Sequence, residues 1–230
     1  MEKNTEIEIK VIAIKTIFAV ITFLAAIVLF AFLTDKIIFK GKDDFDHRVF
    51  DFLSDKVSPS FIGIMRFFTF FGKPEFMIPA YLLLIAWFAI RKKTVFAWEV
   101  FIMGASSTAL LFGLKKIFGR PRPEQPLFEY LGGYSFPSGH ALLTFVFCSV
   151  IIYLIWQSRL ADSWKWIISI LLVLFSMAVG ISRIILRVHY PTDVIAGFTM
   201  GYIWVLLGLW VQHKYITIQK VKQVSKSAHT

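Results

Sequence analysis

Residues 11–33 read VIAIKTIFAVITFLAAIVLFAFL, an apolar run in which Lys15 is the only charge. A hydrocarbon core of roughly 30 Å takes about 20 residues of helix to cross, so this run is long enough to span a bilayer. Working outward from it, five further runs obey the same rule: Phe76–Ile90, Val95–Leu114, Ala141–Trp156, Trp166–Ile185 and Val194–Val211. The first of these five is short and carries Pro79, which a membrane helix tolerates when neighbouring helices satisfy the freed carbonyl. Composition agrees: 57% of the 230 residues are hydrophobic and the mean hydropathy is +0.68, outside the range of soluble globular chains. The expected fold is all-α: an integral membrane bundle of six transmembrane helices with an extra interfacial helical insert between the first and second spans. It reads as one membrane-embedded domain over residues 1–230, with the insert at 35–73 and a basic C-terminal tail at 212–230.

The net charge is +10. In a chain this apolar, with no solvated basic domain, that charge fits anionic lipid headgroups and excludes nucleic acid as a partner. The single cysteine, Cys148, falls inside a span and reads as a small core residue with no intrachain disulfide open to it. Met1–Lys10 mixes lysine and glutamate ahead of an apolar run too long for a signal-peptide core, so the first span reads as uncleaved. Within the insert, Phe45, Val49, Phe52 and Leu53 recur at helical spacing among Asp43, Asp44, Asp46, Asp51 and Asp55, the pattern of an interfacial amphipathic helix. Those aspartates are spaced like a helix face rather than a metal cage. Ser60–Phe71 is apolar but short and carries Arg66, which places it at or just under the interface.

Six spans put both termini on one side, together with the short connections 91–93 and 157–165. The insert, the 120–137 loop and the loop before the sixth span share the other side. Lysine and arginine counts nearly balance across the membrane. Discounting the cations that function would hold in place tips the positive-inside rule toward cytoplasmic termini and an extracytoplasmic site.

Three charged clusters fall on that second side. Lys115 lies near the end of the third span, and Arg122 follows seven residues later in Arg120-Pro121-Arg122-Pro123, where the prolines stop the helix and stiffen a fork-shaped donor suited to phosphate. The alternative for Lys115 is snorkelling to the interface. Pro137-Ser138-Gly139-His140 opens the fourth span. Ser138 is placed like an N-cap, and Gly139 lets a ligand approach free N–H groups at the positive end of a helix dipole. The alternative is an ordinary cap beside an interfacial histidine. In the third cluster, Ser182-Arg183 closes the fifth span, and Asp193 stands four residues past His189, in reach of one ring nitrogen. That contact leaves the other nitrogen free to attack phosphorus, unless the pair is a merely satisfied buried one.

Taken together, Lys115-x6-Arg122-Pro123, Pro137-Ser138-Gly139-His140 and Ser182-Arg183-x5-His189-x3-Asp193 resemble the three-part signature of the type 2 phosphatidic acid phosphatase superfamily, complete and in order. The small size and the insert are similar to bacterial members that dephosphorylate phosphatidylglycerol phosphate. The resemblance implies a metal-independent phosphoric monoester hydrolase without a cofactor. In it His189 attacks phosphorus, Asp193 orients His189, and His140 protonates the leaving oxygen and later activates water. Lys115, Arg122, Ser138, Gly139 and Arg183 bind the substrate phosphate. The expected partners are a lipid phosphate and the cell membrane, with no obligatory protein partner. Phosphatidylglycerol phosphate is the first expectation for substrate; undecaprenyl diphosphate and phosphatidate are alternatives. A non-catalytic transporter or scaffold is the reading from another class, disfavoured because Lys15 and Glu99 are the only clear charges within the spans and lie toward their ends.

Overall fold

The computed structural model describes residues 2–128 and 132–227, with side chains over 13–128 and 132–214. The lysines of the basic tail at 220, 222 and 226 and those near the N-terminus therefore have side chains outside the described residues. The order is α1 (Glu2–Thr34), a π-helical turn (Asp35–Phe39), α2 (Asp44–Ser54), α3 (Pro59–Phe70), α4 (Pro74–Ile90), α5 (Thr94–Phe118), α6 (Gly139–Trp156), α7 (Asp162–Ile185) and α8 (Pro191–Ser227). Among the described residues, six segments are long and apolar enough to cross a membrane: Ala13–Phe39, Pro59–Ile90, Thr94–Phe118, Gly139–Trp156, Asp162–Ile185 and Pro191–Lys214.

The number of spans is the expected one, but the second begins earlier than the sequence placed it. Its apolar stretch runs through both α3 and α4, joined by a turn at 71–73. The chain restarts there because Pro74 occupies the first helical turn of α4, as Pro59 does in α3, where the Ser58 hydroxyl also accepts the Phe61 N–H at 3.3 Å. The Ser60–Phe71 segment is thus packed into the bundle against α7, burying Met65 and Thr69. What remains of the insert is chiefly α2, whose Phe45 and Phe52 are exposed while Asp46 and Phe50, four residues apart and on one face, are buried.

α6 lies at the centre, against α5, α7 and α8; α8 also contacts α1 and α2, and α4 packs on α5. Val100, Leu111, Leu142, Val146 and Val150 form the main buried cluster. Lipid tails are as apolar as these side chains, so helix association in a bilayer depends on close packing and small residues rather than on exclusion of water. Gly197 shows this: a Cβ there would stand 2.6 Å from the Ser138 carbonyl, so only glycine lets α8 meet the start of α6.

Candidate active site

The three clusters meet at one end of the bundle. Lys115, in the last turn of α5, donates from Nζ to the carbonyls of Tyr134 at 2.5 Å and Ser135 at 3.5 Å, so its ammonium is tied to the loop before α6 rather than extended outward. Past the end of α5, Arg122 donates from Nη1 to the Val188 carbonyl at 2.8 Å and from Nε to Gly132 O at 3.3 Å, and the same Nη1 lies 3.2 Å from His189 Nε2. A guanidinium can only donate. Neutral His189 therefore turns the lone pair of Nε2 toward Arg122 and carries its proton on Nδ1, which faces Asp193 Oδ2 at 3.4 Å.

The chain after α7 folds back on itself: the N–H groups of Val188 and His189 both donate to the Arg183 carbonyl, at 3.1 and 3.2 Å. Pro191 then opens α8, and Asp193, three residues after Tyr190, accepts the Tyr190 N–H at 2.9 Å, the carboxylate half of a capping box. The Asp193 backbone carbonyl accepts the Ser138 N–H at 2.9 Å and so ties the second cluster to the third. Ser138 holds the N-cap position of α6, yet its side chain makes no capping bond. Its Oγ and His140 Nε2 are buried polar atoms with no protein partner. Buried polar groups are seldom left unpaired, and two of them beside a helix N-terminus suit the oxygens of an anion. One wall against His140 is the α3–α4 turn, where a Cβ on Gly72 would stand 2.4 Å from the imidazole. His140 and His189 lie within electrostatic range of each other, and both of Arg183 and Arg122.

Burial is the larger reason that His189 is held well below the ordinary histidine pKa, with Arg183, Lys115 and Arg122 adding to it and the Ser135 carbonyl opposing. The imidazole is thus neutral near pH 7, the form with a lone pair to give. Arg183 is 1% exposed and donates from Nη1 to the Thr69 hydroxyl on α3.

Three residues were misassigned or missed in the sequence reading. Arg120, read there with Arg122 as a phosphate fork, is instead filled by carboxylates: Nη1 donates to Asp193 Oδ1 at 2.7 Å and Thr192 Oγ1 at 2.9 Å, and Nη2 to Asp46 Oδ2 at 2.8 Å. Burial weakens the guanidinium's hold on its proton, and Asp193 and Asp46 more than reverse this. Asp46, assigned from sequence to the polar face of an interfacial helix, is fully buried. The signal for it was its i, i+4 spacing to Phe50, an acid in line with an apolar residue. Thr69 had no comparable mark.

The sequence profile of the PAP2 superfamily matches residues 95–217, more than half of the chain and every residue of the three clusters. The chain belongs to the PAP2 superfamily. Among PAP2 relatives, phosphatidylglycerophosphatase B of Bacillus subtilis is 30% identical over 147 residues, covering 60% of this chain and 68% of that protein. Undecaprenyl-diphosphatase of Sulfolobus acidocaldarius is 28% identical over 167 residues, covering 71% and 73%. The fold is shared with the crystal structure of a transmembrane PAP2 type phosphatidylglycerolphosphate phosphatase from Bacillus subtilis, at a TM-score of 0.77 and 24% identity over 84% of this chain and 96% of that one. The protein is accordingly a multi-pass member of the membrane PAP2 lipid phosphatase family.

Proposed function

We propose that this PAP2 protein hydrolyses the phosphate monoester of phosphatidylglycerol phosphate to phosphatidylglycerol through a phosphohistidine on His189. The observation that carries the reading is the placement of His189, its Nε2 3.2 Å from Arg122 Nη1 and its Nδ1 3.4 Å from Asp193 Oδ2. In the first step Nε2 bonds to phosphorus as the bond from phosphorus to the lipid oxygen breaks, and His140 gives that oxygen a proton. In the second, His140 takes a proton from water, whose oxygen displaces Nε2 and releases inorganic phosphate. Asp193 keeps the proton on Nδ1 and stabilises the cationic ring. Lys115, Arg122 and Arg183, with the Ser138 hydroxyl and the Gly139 N–H, hold the equatorial oxygens as charge redistributes. Three cations supply the neutralisation that a metal gives in other phosphatases, so turnover is independent of metal. The active site faces the extracytoplasmic side and the termini the cytoplasm, in line with the charge asymmetry once the site cations are set aside.

The choice of lipid rests on the similarity to phosphatidylglycerophosphatase B. A second reading, undecaprenyl diphosphate as the main substrate, is favoured by the likeness to undecaprenyl-diphosphatase over a longer stretch. Rates of phosphate release by purified protein with excess chelator, on phosphatidylglycerol phosphate, undecaprenyl diphosphate and phosphatidate in matched micelles, separate the two. The expected order places phosphatidylglycerol phosphate first. A preference for the polyprenyl substrate replaces the first reading with the second, and loss of activity in chelator removes the metal-independent mechanism.

A further inference from the structure

α2 lies outside the stretch that matches the PAP2 profile, yet it delivers a fully buried carboxylate to the reaction centre. Asp46 accepts three hydrogen bonds: Oδ1 from the Thr192 N–H at 2.9 Å, and Oδ2 from the Thr192 hydroxyl at 2.6 Å and from Arg120 Nη2 at 2.8 Å. The Thr192 hydroxyl in turn accepts from Arg120 Nη1 at 2.9 Å, which closes a ring of three side chains. Arg120 and Thr192 both adjoin Asp193: one donates to its Oδ1 at 2.7 Å, the other precedes it in the chain. The Arg120 guanidinium also lies over the Tyr190 ring at 3.9 Å, and Phe50, one turn along α2 from Asp46, packs against that ring.

We propose that Asp46 is a positioning residue for the phosphatase reaction, fixing Asp193, and through it His189, by clamping Arg120 and Thr192. The proposal rests on the reading of His189 as nucleophile. Asp193 Oδ2 is shared between the Tyr190 N–H at 2.9 Å and His189 Nδ1 at 3.4 Å, so the histidine bond is the weaker of the two and does not set the plane of the carboxylate. Oδ1 sets it, through Arg120. A planar fork held at one arm alone can swing about its own side chain; held at both arms, by Asp193 and Asp46, it cannot. The second carboxylate also gives the other arm of a buried guanidinium an acceptor, without which that arm would be desolvated and unpaired. Asp46 further serves as an N-terminal cap for α8 supplied from another helix, and so holds the turn that carries His189 and Asp193.

The test is steady-state kinetics on the purified full chain with phosphatidylglycerol phosphate, alongside thermal unfolding. Asp46→Asn sets an NH2 group or a weaker acceptor against Arg120. The expected result is a kcat lower by about 10- to 100-fold, the range for groups that orient a ligating histidine from one shell out, with KM within about 2-fold. Thr192→Val removes the hydroxyl link and is expected to lower kcat less. The double variant should fall within about 2-fold of Asp46→Asn alone, because both changes break the same clamp. Asp46→Glu, which keeps the carboxylate, is expected to turn over faster than the asparagine variant. Val100→Ala opens a cavity in the distant core, and its lower thermal stability with unchanged kcat would show that lost stability alone does not mimic the effect. If Asp46→Asn does not give folded protein, Thr192→Val carries the same test. Unchanged kcat in the folded variants, or independent effects in the double variant, overturns the proposal. His189→Ala in the same assay keeps the two readings apart: if it is inactive while Asp46→Asn is fully active, only the positioning role falls.

Discussion

The two ends of the helix bundle carry similar residue types under opposite conditions. At the end where the clusters meet, Asp46, Arg120, Arg183, His189 and Asp193 are all less than one-tenth exposed, and Asp46, Arg120 and Asp193 are held by several reciprocal bonds. At the other end the polar contacts are part-buried or exposed. Lys165 pairs with Asp162 at 3.0 Å, where Asp162 is 79% exposed; Trp156 Nε1 donates to Ser169 at 3.2 Å; Gln212 donates to the Tyr153 hydroxyl at 2.5 Å. Burying a charge is strongly unfavourable unless partners meet it in good geometry, and exposed pairs gain little. A membrane protein that buries this many charges in one place does so at a site, while the other end shows what an unspecialised membrane edge looks like.

Substitutions at the buried end should have effects that the opposite end does not reproduce. The largest belongs to His189: His189→Ala should abolish turnover while the protein remains folded by thermal unfolding, and near-native phosphate release would erase the distinction between the ends. Next is Asp193→Asn, expected to lower kcat by about 10² to 10⁴ by analogy with the orienting acids of catalytic triads; an unchanged rate would make the pair merely structural. Thr69→Val removes the hydroxyl beside Arg183 and should reduce kcat/KM about 10-fold, as loss of a hydrogen bond to a charged group worth ~1.5 kcal/mol would. A pH series sharpens the same contrast. Because the pKa of His189 is depressed in the folded protein, the neutral nucleophile persists below pH 6.5, and the acid limb of kcat/KM should fall well below that value. The linked stability has the same sign: the His189 contribution is intact above about pH 6.5 and is lost as pH falls toward the folded pKa, since the unfolded chain takes up the proton first. The smallest change is at the other end, where Asp162→Ala should alter stability by less than about 0.5 kcal/mol and leave turnover unchanged.

The legible parts of the molecule were those whose physics is local. Six apolar runs gave six spans because bilayer thickness fixes helix length, and the three charged clusters stood out by the ordered spacing of their residues at span ends. The second span was cut short because Pro74 and Lys73 interrupt the apolar run and Arg66 made the preceding segment look interfacial; only its packing on α7 reveals that α3 belongs to the bundle. Asp46 was overlooked for a different reason. In sequence it is one aspartate among five in a short amphipathic stretch, its spacing to Phe50 is a faint mark, and tertiary contact with Arg120 and Thr192 is what sets it apart. The Arg-Pro-Arg-Pro run was read as a phosphate fork, whereas Arg120 is taken up by Asp193, Thr192 and Asp46. Which of its two arginines meets carboxylates and which lies against the histidine depends on chain direction after Gly119, which composition does not encode.

The most direct test is chemical trapping of the enzyme during turnover on a lipid carrying radiolabelled terminal phosphate, followed by alkaline digestion and mass spectrometry. The expected result is an acid-labile, base-stable phosphoryl group on His189, absent from His189→Ala and accumulating when Asp193 is intact and dephosphorylation is slowed by His140→Ala. Label on another residue, or full turnover with no covalent phosphoryl enzyme in that variant, would contradict a single pocket in which these distant segments join to make His189 the nucleophile.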